Sequence, residues 1–356
     1  MKILSVLGLL LFLSHVVIAQ SRKVDSLERL LIGVSDDSTK VVIQKKLYLA
    51  YSDSLPDKAA QISRNIIKNS KAANYQIGKA TGHYLLGHHF VLKSEYDSAN
   101  YYLHKSLQIG LKIDKPKVAL NALEWIINVH QKKENRDSAL YYVAKAIELA
   151  ENSTGIGGEK IARIKLNEAR IYYSEGSFEK SIKKYIEADS FLTEEHNSLK
   201  AYVKSQIGLV YDRLLSTEKA KKYYLQAQAI YEKESYKNGF YYVENKLGNL
   251  AMDASDYVEA ETRYRSAYKH FKSVNSVTDL EAISANLGHI YSKQEKYDLS
   301  ERFFQESLTY SEKTKNTVLL PYVYNGIGNL HNKLISVCSK TFKLLIIKLI
   351  TLFSLV

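Results

Sequence analysis

Residues 241–271 read YYVENKLGNLAMDASDYVEAETRYRSAYKHF, and residues 281–311 read EAISANLGHIYSKQEKYDLSERFFQESLTYS. Leu247-Gly248, Tyr257, Ala260, Tyr264 and Ala267 in the first recur as Leu287-Gly288, Tyr297, Ser300, Phe304 and Ser307 in the second, forty residues on. A period between roughly 20 and 50 residues is the mark of stacked repeats rather than of one globular core.

Placing the Leu-Gly pair at positions 7 and 8 sorts most of the chain into columns. Units begin near Val41, Ala80, Leu120, Ala162, Ala201, Tyr241, Glu281 and Pro321. Position 8 holds Gly87, Gly208, Gly248, Gly288 and Gly328, and position 20 holds Ala60, Ala99, Ala139, Ser181, Ala220, Ala260 and Ser300. Position 24 is bulky: Leu103, Val143, Tyr185, Tyr224, Tyr264 and Phe304. The spacings 4-7-8-11 and 20-24-27 each trace one helical face, so a unit is a helix hairpin. Small residues let the two helices approach closely, and large ones fill the space alongside. The step from Leu120 to Ala162 is longer and contains the glycine-rich stretch 153–158, where a connection between helices tolerates insertion. Two units depart from the pattern, with Trp125-Ile126-Ile127 and Glu168-Ala169 at the Leu-Gly place.

These columns resemble the tetratricopeptide repeat, over about 41–333. The resemblance implies an all-α fold: a right-handed α-α superhelix of about seven to eight hairpins. The forty-residue period exceeds the usual ~34 residues, so the helices should be extended by about a turn and a half. Three prolines in 356 residues fit a chain that is mostly helix.

The resemblance also implies a binding groove lined by the first helices, at positions 2, 5, 9, 12 and 13. Carried over by register, these give Asn128, Arg170, Arg213, Tyr242, Asn249 and His289 as candidate partner contacts. Asparagine can hold an extended peptide backbone, while arginine and tyrosine add charge-assisted bonds and stacking. The family's carboxylate clamp needs Lys at position 5 and Asn at position 9 of one unit. Lys45 is followed by Leu49 and Asn249 is preceded by Asn245, so that clamp is missing.

Nothing in the chain points to catalysis. Phosphate-loop, G-x-S-x-G and H-E-x-x-H motifs are lacking. His83, His88, His89 and His104 fall in one unit, but their spacing does not share a helical face and no acidic residue or cysteine completes a set. No enzyme activity, cofactor or metal is expected. The net charge of +12 comes from Lys and Arg interleaved with Glu and Asp over every unit, not from a single stripe. That argues against nucleic acid and leaves a mild preference for an acidic protein or peptide.

The two ends differ from the array. Lys2, the apolar run 3–18 and Ala19 describe a signal peptide at 1–19, followed by a leader helix within 20–40. Export to the periplasm or beyond is therefore expected, and the lone Cys338 allows no internal disulfide. After Lys333 the columns stop, and 334–356 is a hydrophobic tail interrupted by Lys340, Lys343 and Lys348. Three readings stand open for it: a degenerate capping helix, a short membrane-contacting segment, or unrelated sequence joined where a longer reading frame was broken. The favoured function is an exported scaffold that binds protein or peptide. The alternative is the input region of a truncated signalling protein, since a signal peptide followed by such an array resembles bacterial sensor histidine kinases and helix-turn-helix regulators.

Overall fold

A computed structural model of the protein describes the backbone of residues 24–52 and 54–353, with side chains to 336 and at 339. The proposed signal peptide at 1–19 and the side chains of 337, of Cys338 and of 340–356 lie outside the described residues. Every regular element among the described residues is a helix. The chain divides into two compact units at Phe191/Leu192. The first holds α1 (24–32), α2 (Asp37–Tyr51), α3 (Pro56–Ala72), α4 (Gln76–Leu92), α5 (Tyr96–Lys112), α6 (Pro116–Lys132), α7 (Arg136–Glu151), α8 (Gly158–Ser174) and α9 (Phe178–Ser190). The second opens on a 3-10 turn, Glu194–His196, and continues with α10 (Asn197–Arg213), α11 (Thr217–Lys233), α12 (Lys237–Asp253), α13 (Tyr257–Ser273), α14 (Val277–Lys293), α15 (Tyr297–Thr314) and α16 (Leu320–Phe353).

Within each unit the helices pair into hairpins, the tetratricopeptide-like architecture implied by the columns. The extra length has a simple form. In the regular units both helices have 17 residues, and each is followed by a three-residue turn. The first helix of a regular hairpin starts about four residues ahead of the unit boundary read from the columns, so it gains its added turn at its N-terminus. The middle residue of each turn is left-handed: Asn74, Ser94, Asp114 and Glu134 in the first unit, and Leu215, Ser235, Ser255, Asn275 and Glu295 in the second, with φ between 50° and 61°. The next N–H then reaches back to the helix end, as Tyr75 N does to the Ser70 carbonyl at 2.8 Å, the Schellman pattern that satisfies orphan carbonyls. The glycine-rich stretch is the irregular connection between α7 and α8.

Packing explains the columns. A Cβ built on Gly208 would lie 2.7 Å from the Tyr224 ring, on Gly248 2.6 Å from Tyr264, and on Gly288 2.6 Å from Phe304. Position 8 is glycine because the position-24 side chain of the same hairpin lies against its backbone. Where position 8 is Ile127, position 24 shrinks to Val143, and both are buried in one cluster. At position 20 the alanines are at most 1% exposed. The two serines there donate Oγ to the position-8 carbonyl, Ser181 to Ala169 and Ser300 to Gly288, each at 2.8 Å.

A second tie runs from position 11 to position 23 in four of the hairpins. Phe90 stacks on Tyr102, His130 on Tyr142, Tyr211 on Tyr223 and Tyr291 on Phe303, with centroids 5.3–5.6 Å apart. Two units carry a cation at position 23 instead, and it pairs with a carboxylate of its own first helix: Lys184 with Glu168 at 3.1 Å and Arg263 with Glu244 at 2.7 Å. Glu168, which broke the Leu-Gly column, is thus the partner of a charge that replaced a ring.

Successive first helices touch one another, α2–α4–α6–α8 in one unit and α10–α12–α14–α16 in the other. They form an inner layer and present a face at positions 2, 5, 6, 9 and 13. The last helix is different. α16 runs unbroken for 34 residues, with no turn where a second helix would begin. Among the described residues no helix is long and apolar enough to cross a membrane.

Candidate partner-binding face

The second unit carries the denser polar face. On α12, Tyr242, Asn245, Lys246 and Asn249 fall at i, i+3, i+4 and i+7 and form one stripe. Asn286 of α14 donates Nδ2 to Asn245 Oδ1 at 3.1 Å and to Asn249 Oδ1 at 3.0 Å. Tyr264 donates its hydroxyl to the same Asn249 oxygen at 2.9 Å. From α16, Tyr322 donates to Asn286 Oδ1 at 3.4 Å. The His289 ring lies 4.0 Å from the Tyr322 ring and 4.9 Å from Phe304, and its Nε2 is 3.3 Å from the Tyr322 carbonyl. Burial pulls the His289 pKa down, only partly countered by that carbonyl. Burial and the charge of Asp253 push the Tyr322 hydroxyl up to about 12.

Beside this ladder sits a charged group. Lys246 is half-buried, with Nζ 5.3 Å from the Tyr242 ring centroid. Among the described residues no carboxylate forms an ion pair with it within 4.0 Å. Burial lowers its pKa; Asp212 opposes the shift and Arg213 reinforces it. Asp212 is raised in turn, by burial and by Asp253. Desolvation disfavours a charged group unless an opposite charge compensates. Among the described residues Lys246 lacks such a close partner, so its ammonium N–H groups can donate to a carboxylate or carbonyl brought to it.

The six residues expected from register therefore have unequal standing. Asn249 and His289 belong to one network, and Tyr242 and Arg213 surround Lys246. The Asn249 oxygen is engaged inside the protein, so its Nδ2 is the donor left for a ligand. In the first unit Asn128 is half-buried and Arg170 is exposed, and neither takes part in a comparable network. The inner layer there is aromatic. The Tyr48 hydroxyl meets His88 Nδ1 at 2.8 Å, the His88 ring lies 4.3 Å from Trp125, and Trp125 donates Nε1 to the Tyr84 hydroxyl at 3.1 Å. Register reasoning missed Lys246, Asn286 and Trp125 because all three occupy position 6. In helices with an added turn, that position also reaches the inner layer.

The clustered histidines have separate destinations. His104 lies between the Asn100 carbonyl and the Tyr142 hydroxyl, both at 2.9 Å. His83 is 7% exposed, and burial together with Lys105 and Lys79 pulls it down to about 4. Among the described residues no three His, Cys, Asp or Glu side chains converge as a metal set.

Comparison with known proteins agrees with the fold. A tetratricopeptide repeat model matches residues 283–314. Curated protein sequences give no match. Among solved structures the chain is similar to the apo form of the quorum sensor NprR from B. thuringiensis, at TM-score 0.63 and 15% identity, covering 84% of each chain. It is similar to a Rap protein complexed with competence and sporulation factor, at TM-score 0.58 and 14% identity, over 81% of this chain and 79% of that one. A third is the Rap conjugation gene regulator of plasmid pLS20 in complex with the Phr* peptide, at TM-score 0.55 and 15% identity, over 79% and 78%. At these identities the likeness is one of fold.

Proposed function

We propose that this protein is a non-catalytic scaffold that binds a peptide or a protein segment along the inner face of its second unit. The observation that carries the reading is Lys246: a half-buried cation without a close carboxylate among the described residues, on one helical stripe with Tyr242 and with Asn249, whose Nδ2 remains to donate. A partner supplying a carboxylate there would gain a charge-assisted bond, which favours an acidic segment. That two solved structures of this fold are complexes with a competence and sporulation factor and with a Phr* peptide supports a peptide-sized occupant.

The test is selection from a random peptide library on the full chain, followed by affinity measurement on Lys246→Met, which keeps the side-chain stem. Losing one charge-assisted bond of ~1.5–3 kcal/mol corresponds to roughly tenfold to hundredfold weaker binding. Selected peptides without carboxylates, or equal affinity for Lys246→Met, would refute the assignment.

The compartment belongs to the same proposal. Lys2, the apolar run 3–18 and Ala19 support export, and the mass of the mature N-terminus tests it; retention of residues 1–19 would overturn cleavage. The second reading, a sensor's input region, is favoured by the array's likeness to a protein described as a quorum sensor. A partner whose binding changes nothing downstream of the array in the cell would count against it. Contact of the tail 334–356 with a membrane is a separate reading of that segment, compatible with the scaffold, and flotation of the full chain with anionic vesicles tests it.

A further inference from the structure

Of the four ring ties, three have Phe90, Tyr211 or Tyr291 at position 11, and the fourth has His130, stacked on Tyr142. His130 is unlike the rings it replaces. Its Nδ1 and Nε2 are both buried, and among the described residues neither has a hydrogen-bond partner. The charges acting on it are His104 of α5 and Lys133 at the end of its own helix, and both oppose a positive imidazole. Lys133 is itself held by Asp97 of α5 at 2.8 Å. From α4, α7 and α8, which also pack on α6, no charged group among the described residues acts on it. Burial and the two positive neighbours therefore keep His130 neutral, below the ordinary histidine range.

Tyr142 carries the tie beyond its own hairpin. Its hydroxyl meets Nε2 of His104, on the second helix of the preceding hairpin, at 2.9 Å. His104 Nδ1 lies 2.9 Å from the Asn100 carbonyl, which can only accept. Nδ1 therefore bears the proton, and Nε2 accepts from the Tyr142 hydroxyl. A second proton on His104 would turn Nε2 into a donor and end that bond in its present sense. We propose that Tyr142, held between His104 and His130, is an acid-sensitive latch: protonation of the two imidazoles releases α7 from α5 and α6. α6 also carries Trp125 into the inner aromatic layer, so the latch couples that layer to pH. The inference rests on the first unit alone and stands independently of the reading at Lys246.

For a base with a depressed folded pKa, the contact is fully stable above the unfolded value of 6.5 and weakens as pH falls below it. Native-state hydrogen exchange of the full chain between pH 7.5 and 5, corrected for the intrinsic pH dependence of exchange, reads the opening of each helix. In α6 and α7, opening linked to the His130 proton should rise by up to about tenfold per pH unit below 6.5. The α10–α11 hairpin, tied by Tyr211 and Tyr223, is the internal comparison and should show a smaller slope. His130→Phe recreates the Phe90–Tyr102 pair already present in α4–α5, so it should fold and flatten the slope in α6 and α7. His83→Phe should leave that slope in place. An unchanged slope in His130→Phe, a slope of equal size in α10–α11, or an equal flattening by His83→Phe would overturn the proposal.

Discussion

Alanine at position 8 should have opposite effects in two units of this one chain. At Gly248 the new Cβ would sit 2.6 Å from Tyr264 Cε1 and 2.8 Å from its Cδ1. The ring has little room to yield, being 2% exposed with its hydroxyl bonded to Asn249. Overpacking of this kind costs about 1–3 kcal/mol. Against it stands the helix-propensity gain of Gly→Ala, about 1 kcal/mol. The net at Gly248 is destabilisation by about 1 kcal/mol. At Gly328 nothing from the described residues outside its own helical backbone lies within 4 Å, so the propensity gain alone remains and Gly328→Ala should stabilise α16 by up to about 1 kcal/mol. The two variants, and Gly248→Ala combined with Tyr264→Leu, would be compared by urea denaturation followed by far-UV circular dichroism. Native-state hydrogen exchange would locate the change, because repeat arrays need not unfold in one step. Equal effects of the two alanines, or a neutral Gly248→Ala, would refute the account of position 8. A double variant no less destabilised by the alanine than the single would refute the ring as its cause.

Further outcomes follow from other contacts. Leu215 is 88% exposed with φ 56°, so Leu215→Gly should stabilise by ~0.5–1 kcal/mol in thermal denaturation by relieving left-handed strain. Glu281 is fully buried, accepting from Asn316 Nδ2 at 3.1 and 3.2 Å and from Thr314 Oγ1 at 3.1 Å. Glu281→Ala orphans those donors and should cost ~2 kcal/mol, while Glu281→Gln keeps an acceptor and should cost less; equal losses would discount the bonds. His83 is held neutral, its pKa lowered from 6.5 to about 4, and His89 and His130 are lowered in the same direction. For a base with a depressed folded pKa, stability is full above the unfolded value of 6.5 and is lost as pH falls from there toward 4, for His83 on the order of 3 kcal/mol. His83→Phe keeps the ring against Tyr102 and should melt with a smaller pH dependence across that window; an unchanged pH profile would remove His83 from the cause.

What could be read from residues alone was whatever repeats locally. Gly248 and Tyr264 occupy fixed places in a forty-residue period, and helical periodicity turns those places into faces, so the hairpin architecture needed no coordinates. The same reading placed Asn249 and His289 on the inner layer. It could not see that the Asn249 oxygen is already taken by Asn286 and Tyr264, because those bonds join three helices. Nor could it single out Lys246, whose character comes from burial and from Asp212 and Arg213 on a neighbouring helix rather than from its own column. Gly248 and Gly328 are the same letter in the same register. Only packing separates them: one lies under the ring of its own second helix, while among the described residues no side chain lies against the other, and a contact made between helices is not carried by any single column.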